Sequence, residues 1–198
     1  RQMCIRDSNN NMACNLTLGR KEPCKDVVGG IKAVYFADFG TFSTLAYNNT
    51  DTDVIDTLGS SLTVRQYDVK GNSSFEQNIT ASRENGTTFF EQTLNLTLHK
   101  LTKEDNKELK LMAYGRPHVI VEDYNKNLFV MGLENGADVS GGTIVTGAAM
   151  GDLSGYTLTL SGMEKVPANF IEKAAVTETV VTTLTNAGIS TITAGTNS

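Results

Sequence analysis

The chain has 198 residues, 39% of them hydrophobic and 20% charged, with a formal net charge of −5 and a pI of about 5.1. That is enough apolar material for one packed domain and too much for wholesale disorder. The acidic balance, without a basic cluster, speaks against binding nucleic acid by neutralising phosphates. No apolar run approaches the roughly 20 residues of a membrane-spanning helix.

Residues 1–11 read as a leader, artefactual or without structure, and the natural start is expected at Met12. No long apolar stretch of a secretory signal is present there. Residues 15–26 are polar and read as an N-terminal arm. Cys14 and Cys24 lack the close Cys or His partners that zinc needs, so no metal site is expected. They could form a disulfide, although reduced thiols are expected in a cytosolic product.

Gly29-Gly30 precede a β-rich stretch over 31–39, with Val34, Phe36 and Ile31 as candidate core residues. A short strand over 41–47 and a loop over 48–53 follow. Residues 61–69 alternate between Leu62, Val64, Gln66 and Asp68 on one face and Thr63, Arg65, Tyr67 and Val69 on the other. Residues 70–73 then turn.

The clearest unit is a long hairpin. Phe75, Gln77 and Ile79 alternate with Glu76, Asn78 and Thr80, and Asn85-Gly86 suits a two-residue type I′ turn. The returning strand sets Phe90, Gln92, Leu94, Leu96 and Leu98 on one face and Phe89, Glu91, Thr93, Asn95, Thr97 and His99 on the other. The period then changes. Thr102 and Asp105 cap a helix over 103–114, with Leu109 and Met112 inward, Lys and Glu outward, and Gly115 placed at its end.

Further strands are expected over 118–124, 128–133, 143–150 and 156–163, joined by turns at 125–127, 134–136 and 152–155. Tyr156, Leu158 and Leu160 share a face opposite Thr157, Thr159 and Ser161. Residues 173–198 are Thr-rich. Val176, Val180, Val181 and Leu184 have helical spacing, but the β-branched content favours strand, so the segment reads as an extended C-terminal arm.

Nothing along the chain has the pattern of a catalytic site. No G-x-S-x-G elbow occurs, and the glycine-rich stretch 141–147 lacks the Lys-Ser/Thr of a phosphate loop; it reads as a turn entering a strand. Glu122-Asp123 reads as a solvated strand end, and His99 and His118 as surface or hydrogen-bonded residues. The expectation is a non-enzyme without cofactor.

Residues 24–36, 84–94 (Glu-Asn-Gly-Thr-Thr-Phe-Phe-Glu-Gln-Thr-Leu) and 151–160 (Gly-Asp-Leu-Ser-Gly-Tyr-Thr-Leu-Thr-Leu) resemble blocks of tailed-bacteriophage structural proteins. The order of long hairpin, helix and closing strands over residues 13–172 is similar to tail tube proteins. The resemblance implies a mainly β fold: an antiparallel β-sandwich or barrel with one flanking α-helix over residues 12–172. It implies homo-oligomeric, hexameric rings that stack, meet other phage tail proteins, and pass DNA without binding it specifically. It places the protein in the virion after synthesis in the bacterial host cytoplasm, with no membrane partner. On that reading Thr93, Asn95, Thr97, Thr157 and Thr159 form the assembly or lumen face. Another virion part (neck, baseplate or head decoration) and a carbohydrate-binding β-sandwich are the alternatives; the lack of Trp weakens the last.

Overall fold

The structure is a computed structural model that describes residues 19–20, 25, 27–51, 53–69, 72–173 and 179–194. The leader, Cys14, Cys24 and most of the N-terminal arm lie outside the described residues. The element order is β1 (Ile31–Ala37), β2 (Ala46–Tyr47), β3 (Val54–Thr57), β4 (Leu62–Asp68), β5 (Ser74–Ser82), β6 (Thr87–His99), α1 (Lys103–Tyr114), β7 (His118–Asp123), β8 (Leu128–Met131), β9 (Asp138–Val145), β10 (Gly155–Glu164), β11 (Asn169–Ile171), α2 (Val180–Asn186) and β12 (Ile189–Ala194).

The strands form two sheets: an eight-stranded one in the order β12-β4-β1-β7-β8-β11-β3-β2, and a four-stranded one in the order β5-β6-β10-β9. The fold is mainly β, as the alternation implies. Neither sheet closes into a barrel, since each ends in two strands that do not pair with one another. The larger sheet is also not wholly antiparallel: β11 runs parallel to β3, and β12 parallel to β4. The described residues hold two helices where one was expected.

The two sheets share a core. Val34, Phe36, Val119, Val121 and Met131 of the larger sheet meet Leu94, Leu96 and Leu160 of the smaller one. The bulge at Lys32 turns Ile31 to the same side as Val34 and Phe36. Along β6 the alternation fixes the register: Leu94 and Leu96 are buried, at 0% and 2% exposure. A slip by one residue would drive Asn95 into the core in their place. Each buried leucine is worth about 1.5–3 kcal/mol of transfer free energy, which makes that slip costly.

The opposite face of the larger sheet builds a second core. Tyr35, Ile120 and Val130 pack there with Ile55, Leu58, Val64, Ile171, Val180 and Leu184. The C-terminal segment supplies part of it, so its described portion is not an extended arm. Thr179 caps α2 by accepting from Thr182 N–H at 3.3 Å. β-Branched residues cost a helix only tenths of a kcal/mol each, and burial of Val180 and Leu184 outweighs that. Leu58 and Leu62 donate their N–H groups to the carbonyls of Ala187 and Gly188 at 2.9 and 3.0 Å. Gly188, at φ +97, lies so close to the Gly59 carbonyl that a Cβ could not fit.

Three local expectations change. The β5–β6 hairpin closes by a four-residue loop, residues 83–86, with Ser82 opposite Thr87. Only Gly86 takes positive φ, at 64°, because a loop of this length needs the left-handed conformation once, at its end. β9 runs from Asp138 to Val145, so it begins and ends five residues before the strand expected over 143–150. The Gly141-Gly142 pair lies inside it, where the Thr157 carbonyl is 2.5 Å from any Cβ placed on Gly142. The Asp152 carboxylate instead gathers the amides of Ala148 and Ala149 at 2.9 and 2.7 Å into the turn. α1 matches its expected span, and Thr102 accepts from Asp105 N–H at 3.0 Å. Gly115 closes it in an extended conformation, φ −101, rather than a left-handed one.

Candidate functional site: a polar sheet face

Pairing in the smaller sheet brings all five expected face residues together. Thr93, Asn95 and Thr97 of β6 stand opposite Ser161, Thr159 and Thr157 of β10. The rows extend sideways from Asn95 to Ser74 on β5, and from Thr157 to Thr143 on β9. Leu94, Leu96 and Leu160 occupy the other side, in the shared core, so this face points away from it.

The polar groups satisfy one another across the strands. Thr159 Oγ1 donates to Asn95 Oδ1 at 2.9 Å, and Asn95 Nδ2 donates to Ser74 Oγ at 3.4 Å. The hydroxyls of Thr143 and Thr157 are hydrogen-bonded at 2.6 Å, and Thr97 Oγ1 donates to the Asn72 carbonyl at 3.2 Å. Cross-strand pairs of this kind stabilise a sheet without closing a pocket.

The charge on this face has one sign. β5, β6, β9 and β10 contain not one Lys or Arg. By strand parity Glu76, Glu91 and Asp138 lie on the Thr/Asn side, across from Thr93, Asn78 and Ser161 respectively. The acidic balance of the whole chain was legible in its composition. The segregation of every lysine and arginine away from these four strands requires knowing which strands share a sheet.

Both edges of this sheet lack a partner strand among the described residues. β5 and β9 are the outermost strands, of 9 and 8 residues. Ile79 on β5 and Ile144 on β9 are 70% and 64% exposed. Such edges invite pairing with another chain.

A turn at residues 132–136 fastens the two sheets together. Gly132, at φ +66, donates its N–H to Oε1 of buried Gln92 at 3.0 Å. The Glu164 carboxylate accepts from the amides of Glu134 and Asn135 at 3.1 and 2.9 Å. Burial pushes that carboxyl group up, and the two amides pull it back. His118 bonds the Gly132 carbonyl through Nδ1 at 2.7 Å. It is therefore a buried hydrogen-bonded residue. Glu122, expected as part of a solvated strand end, is 1% exposed and bound by Tyr35 and Lys32. Its burial follows from the second core on its face of β7.

Two open clefts stand out among the described residues. One, of about 200 Å³, lies between α1 and the ends of β1 and β4, lined by Phe36, Phe39, Tyr67, Leu111, Met112 and Arg116. The other, of about 340 Å³, lies beside β5 and includes Ser73, Phe75, Gln77, Asp123 and Phe129. Neither gathers a nucleophile with a base. Among the described residues no group of three or more His, Cys, Asp or Glu could hold a metal ion, and no helix is long and apolar enough to cross a membrane. No family model, no curated protein and no solved structure matches this chain.

Proposed function

We propose that the protein is a structural subunit of a phage virion that assembles into stacked, hexameric rings forming the tail tube, a conduit for DNA. The observation that carries this reading is the outer face of the four-stranded sheet: a Thr, Asn and Ser surface bonded across its strands, with Glu76, Glu91 and Asp138 and no Lys or Arg. A wall that must let a polyanion slide needs no cation to hold phosphates and no unpaired donor to catch them.

The free edges supply the assembly logic. Strand direction alternates across β5, β6, β10 and β9, so β5 and β9 run antiparallel to each other. Setting β9 of one copy beside β5 of the next continues the antiparallel alternation. That contact is head-to-tail, and head-to-tail contacts close into rings when the rotation permits. Closure also removes the edges that a lone subunit leaves exposed. The larger sheet and the flanking helix α1 would then stand outside the channel, with α2 on the far side of that sheet and β12 at its edge beside β4.

Negative-stain electron microscopy of the purified chain, with sedimentation velocity, tests the reading. Rings or tubes with a central hole are expected. Monodisperse monomers at tens of micromolar protein would sink it.

A further inference from the structure

The loop over residues 38–45, between β1 and β2, folds around one buried side chain of the body, His118. His118 opens β7 and is 2% exposed. Its ring stacks on Phe42 at 4.4 Å and 18°, and on Phe39 at 5.1 Å and 24°. Gly40 N–H donates to His118 Nε2 at 3.0 Å, and Nδ1 lies 2.7 Å from the Gly132 carbonyl oxygen. An amide can only donate and a carbonyl can only accept. These two partners therefore assign the ring as neutral with its proton on Nδ1. Phe42 and Leu45 pack onto the second core, so the loop is held by this ring and by the core together.

We propose that His118 is an acid-sensitive clasp, whose protonation on Nε2 releases the loop over residues 38–45 while both sheets stay folded. A proton there converts the acceptor into a donor aimed at the Gly40 N–H, and the bond is lost. The charged groups on the surrounding elements cannot compensate the new cation. Asp38 in the loop pairs with Arg65 of β4 at 3.1 Å. Glu134 in the turn faces Lys165 at 3.6 Å, and Glu164 of β10 accepts from two amides. Glu122, on the same face of β7, is held by Tyr35 and Lys32. Arg116 lies 4.6 Å over the Phe39 ring and is itself a cation. Aromatic faces do attract cations: Phe39 already serves Arg116 in that way, and the Phe42 face moves away with the loop that carries it.

Burial also pushes the His118 ring below the ordinary histidine range, against a smaller opposing effect of the Gly132 bond. The closed loop thus binds the proton less readily than the open one. Closure is fully favoured above about pH 6.5, and the closing equilibrium then weakens about tenfold per pH unit as pH falls, until the closed-state ring itself titrates. Asp38 and Phe39 line the cleft beside α1. Release would open that cleft and bare Phe42, whereas Phe39 is already half exposed.

The test is residue-resolved amide exchange from pH 7.5 to 5.0, alongside the imidazole resonances of His118. The protection factors of Gly40, Thr41 and Ser43 are expected to fall about tenfold per pH unit below pH 6.5, until the His118 ring of the closed loop, lowered by burial, titrates in its turn. Amides of Val34 and Ile120 in the sheet serve as the internal reference and should keep their protection. His118→Gln, which can accept from Gly40 without titrating, should flatten the loop response. The proposal is overturned if His118 titrates with loop protection unchanged, if loop and sheet amides lose protection together, or if the variant and the native chain give the same curve. Should H118Q not fold, the loop-against-sheet comparison in the native chain decides alone.

Discussion

Tyr35 on β1 donates its hydroxyl to Oε2 of Glu122 on β7 at 2.7 Å, at the edge of the second core. Lys32 Nζ meets the other oxygen, Oε1, at 2.6 Å. The carboxylate is buried while the lysine side chain is 54% exposed, so the charge lies inside and its counter-charge at the surface. Breaking such an arrangement from one side leaves a buried acceptor or charge unmatched.

Tyr35→Phe removes only the hydroxyl. The expected loss is about 1–3 kcal/mol, the cost of leaving a buried acceptor without its donor. Lys32→Met strips the counter-charge and should cost about as much, since water can still reach that side. Urea unfolding read by circular dichroism measures both. An unshifted midpoint in Y35F would show that Glu122 does not depend on the tyrosine.

The two most perturbed tyrosines predict an alkaline limit. Burial, then the Glu122 bond and the charges of Glu122 and Asp68, raise the Tyr35 hydroxyl far above its ordinary range. Burial, then Glu108 and Asp105, push Tyr67 up to about 12. Both folded values exceed the unfolded value of about 10, so the unfolded chain releases its protons first. Their contribution is complete below pH 10 and falls above it by about 1.4 kcal/mol per pH unit for each tyrosine. For Tyr67 the decline ends near pH 12. Urea midpoints from pH 9.5 to 11.5 should drop less steeply in Tyr67→Phe than in the native chain. Parallel curves would exclude this origin.

Much of the smaller sheet was legible because its signal is local. The alternation of Leu94, Leu96 and Leu98 against Thr93, Asn95 and Thr97 assigns both faces of β6 before any partner is known. Thr102 and Asp105 likewise mark the start of α1 within one turn. A turn at 134–136 was legible, but the side chains that fasten it were not. Gln92 reaches Gly132 across 40 residues of sequence and Glu164 reaches Asn135 across 29, distances that no local period encodes. α2 was missed for the opposite reason: its local propensity favours strand, and burial of Val180 and Leu184 against distant residues decides otherwise.

That turn yields a stability prediction. A Cβ on Gly132 would lie 2.5 Å from the Gly136 carbonyl carbon, at a φ of +66 that side chains resist. Gly132→Ala should therefore cost at least about 1–3 kcal/mol from backbone strain alone. Gln92→Leu should cost about 1–3 kcal/mol by leaving the Gly132 N–H buried without an acceptor. The two share one hydrogen bond, so the double variant should cost less than the sum. Strict additivity in thermal or urea unfolding would show that Gln92 does not act through Gly132.

The polar face predicts a separation of folding from assembly. Asn95→Leu with Thr97→Leu deletes the bonds to Thr159, Ser74 and the Asn72 carbonyl, while the core leucines on the reverse side stay in place. Melting should shift by no more than about 1–2 kcal/mol in stability, the net worth of a few partly exposed hydrogen bonds. Ring formation should suffer more, because two leucines place an apolar strip on a wall that must stay wetted. Unchanged rings in micrographs would count against the face as the lumen or a subunit contact.

The sheet edges give a sharper case, since Ile144 touches little within its own chain. It is 64% exposed on β9, so Ile144→Lys should change stability by no more than about 0.5 kcal/mol. A lysine there puts a solvated charge where a neighbouring β5 would have to lie, the device by which free edges are kept from pairing. The substitution should hold the protein as monomers without altering its melting curve. Ile79→Lys on β5, 70% exposed, should do the same from the other side of the contact. Mixing the two variants should not restore closed rings: each β9–β5 contact in a closed cycle needs both native edges, and half of all edges of each kind are blocked. Sedimentation velocity distinguishes the outcomes, and intact rings from either variant would remove β5–β9 pairing as the ring contact.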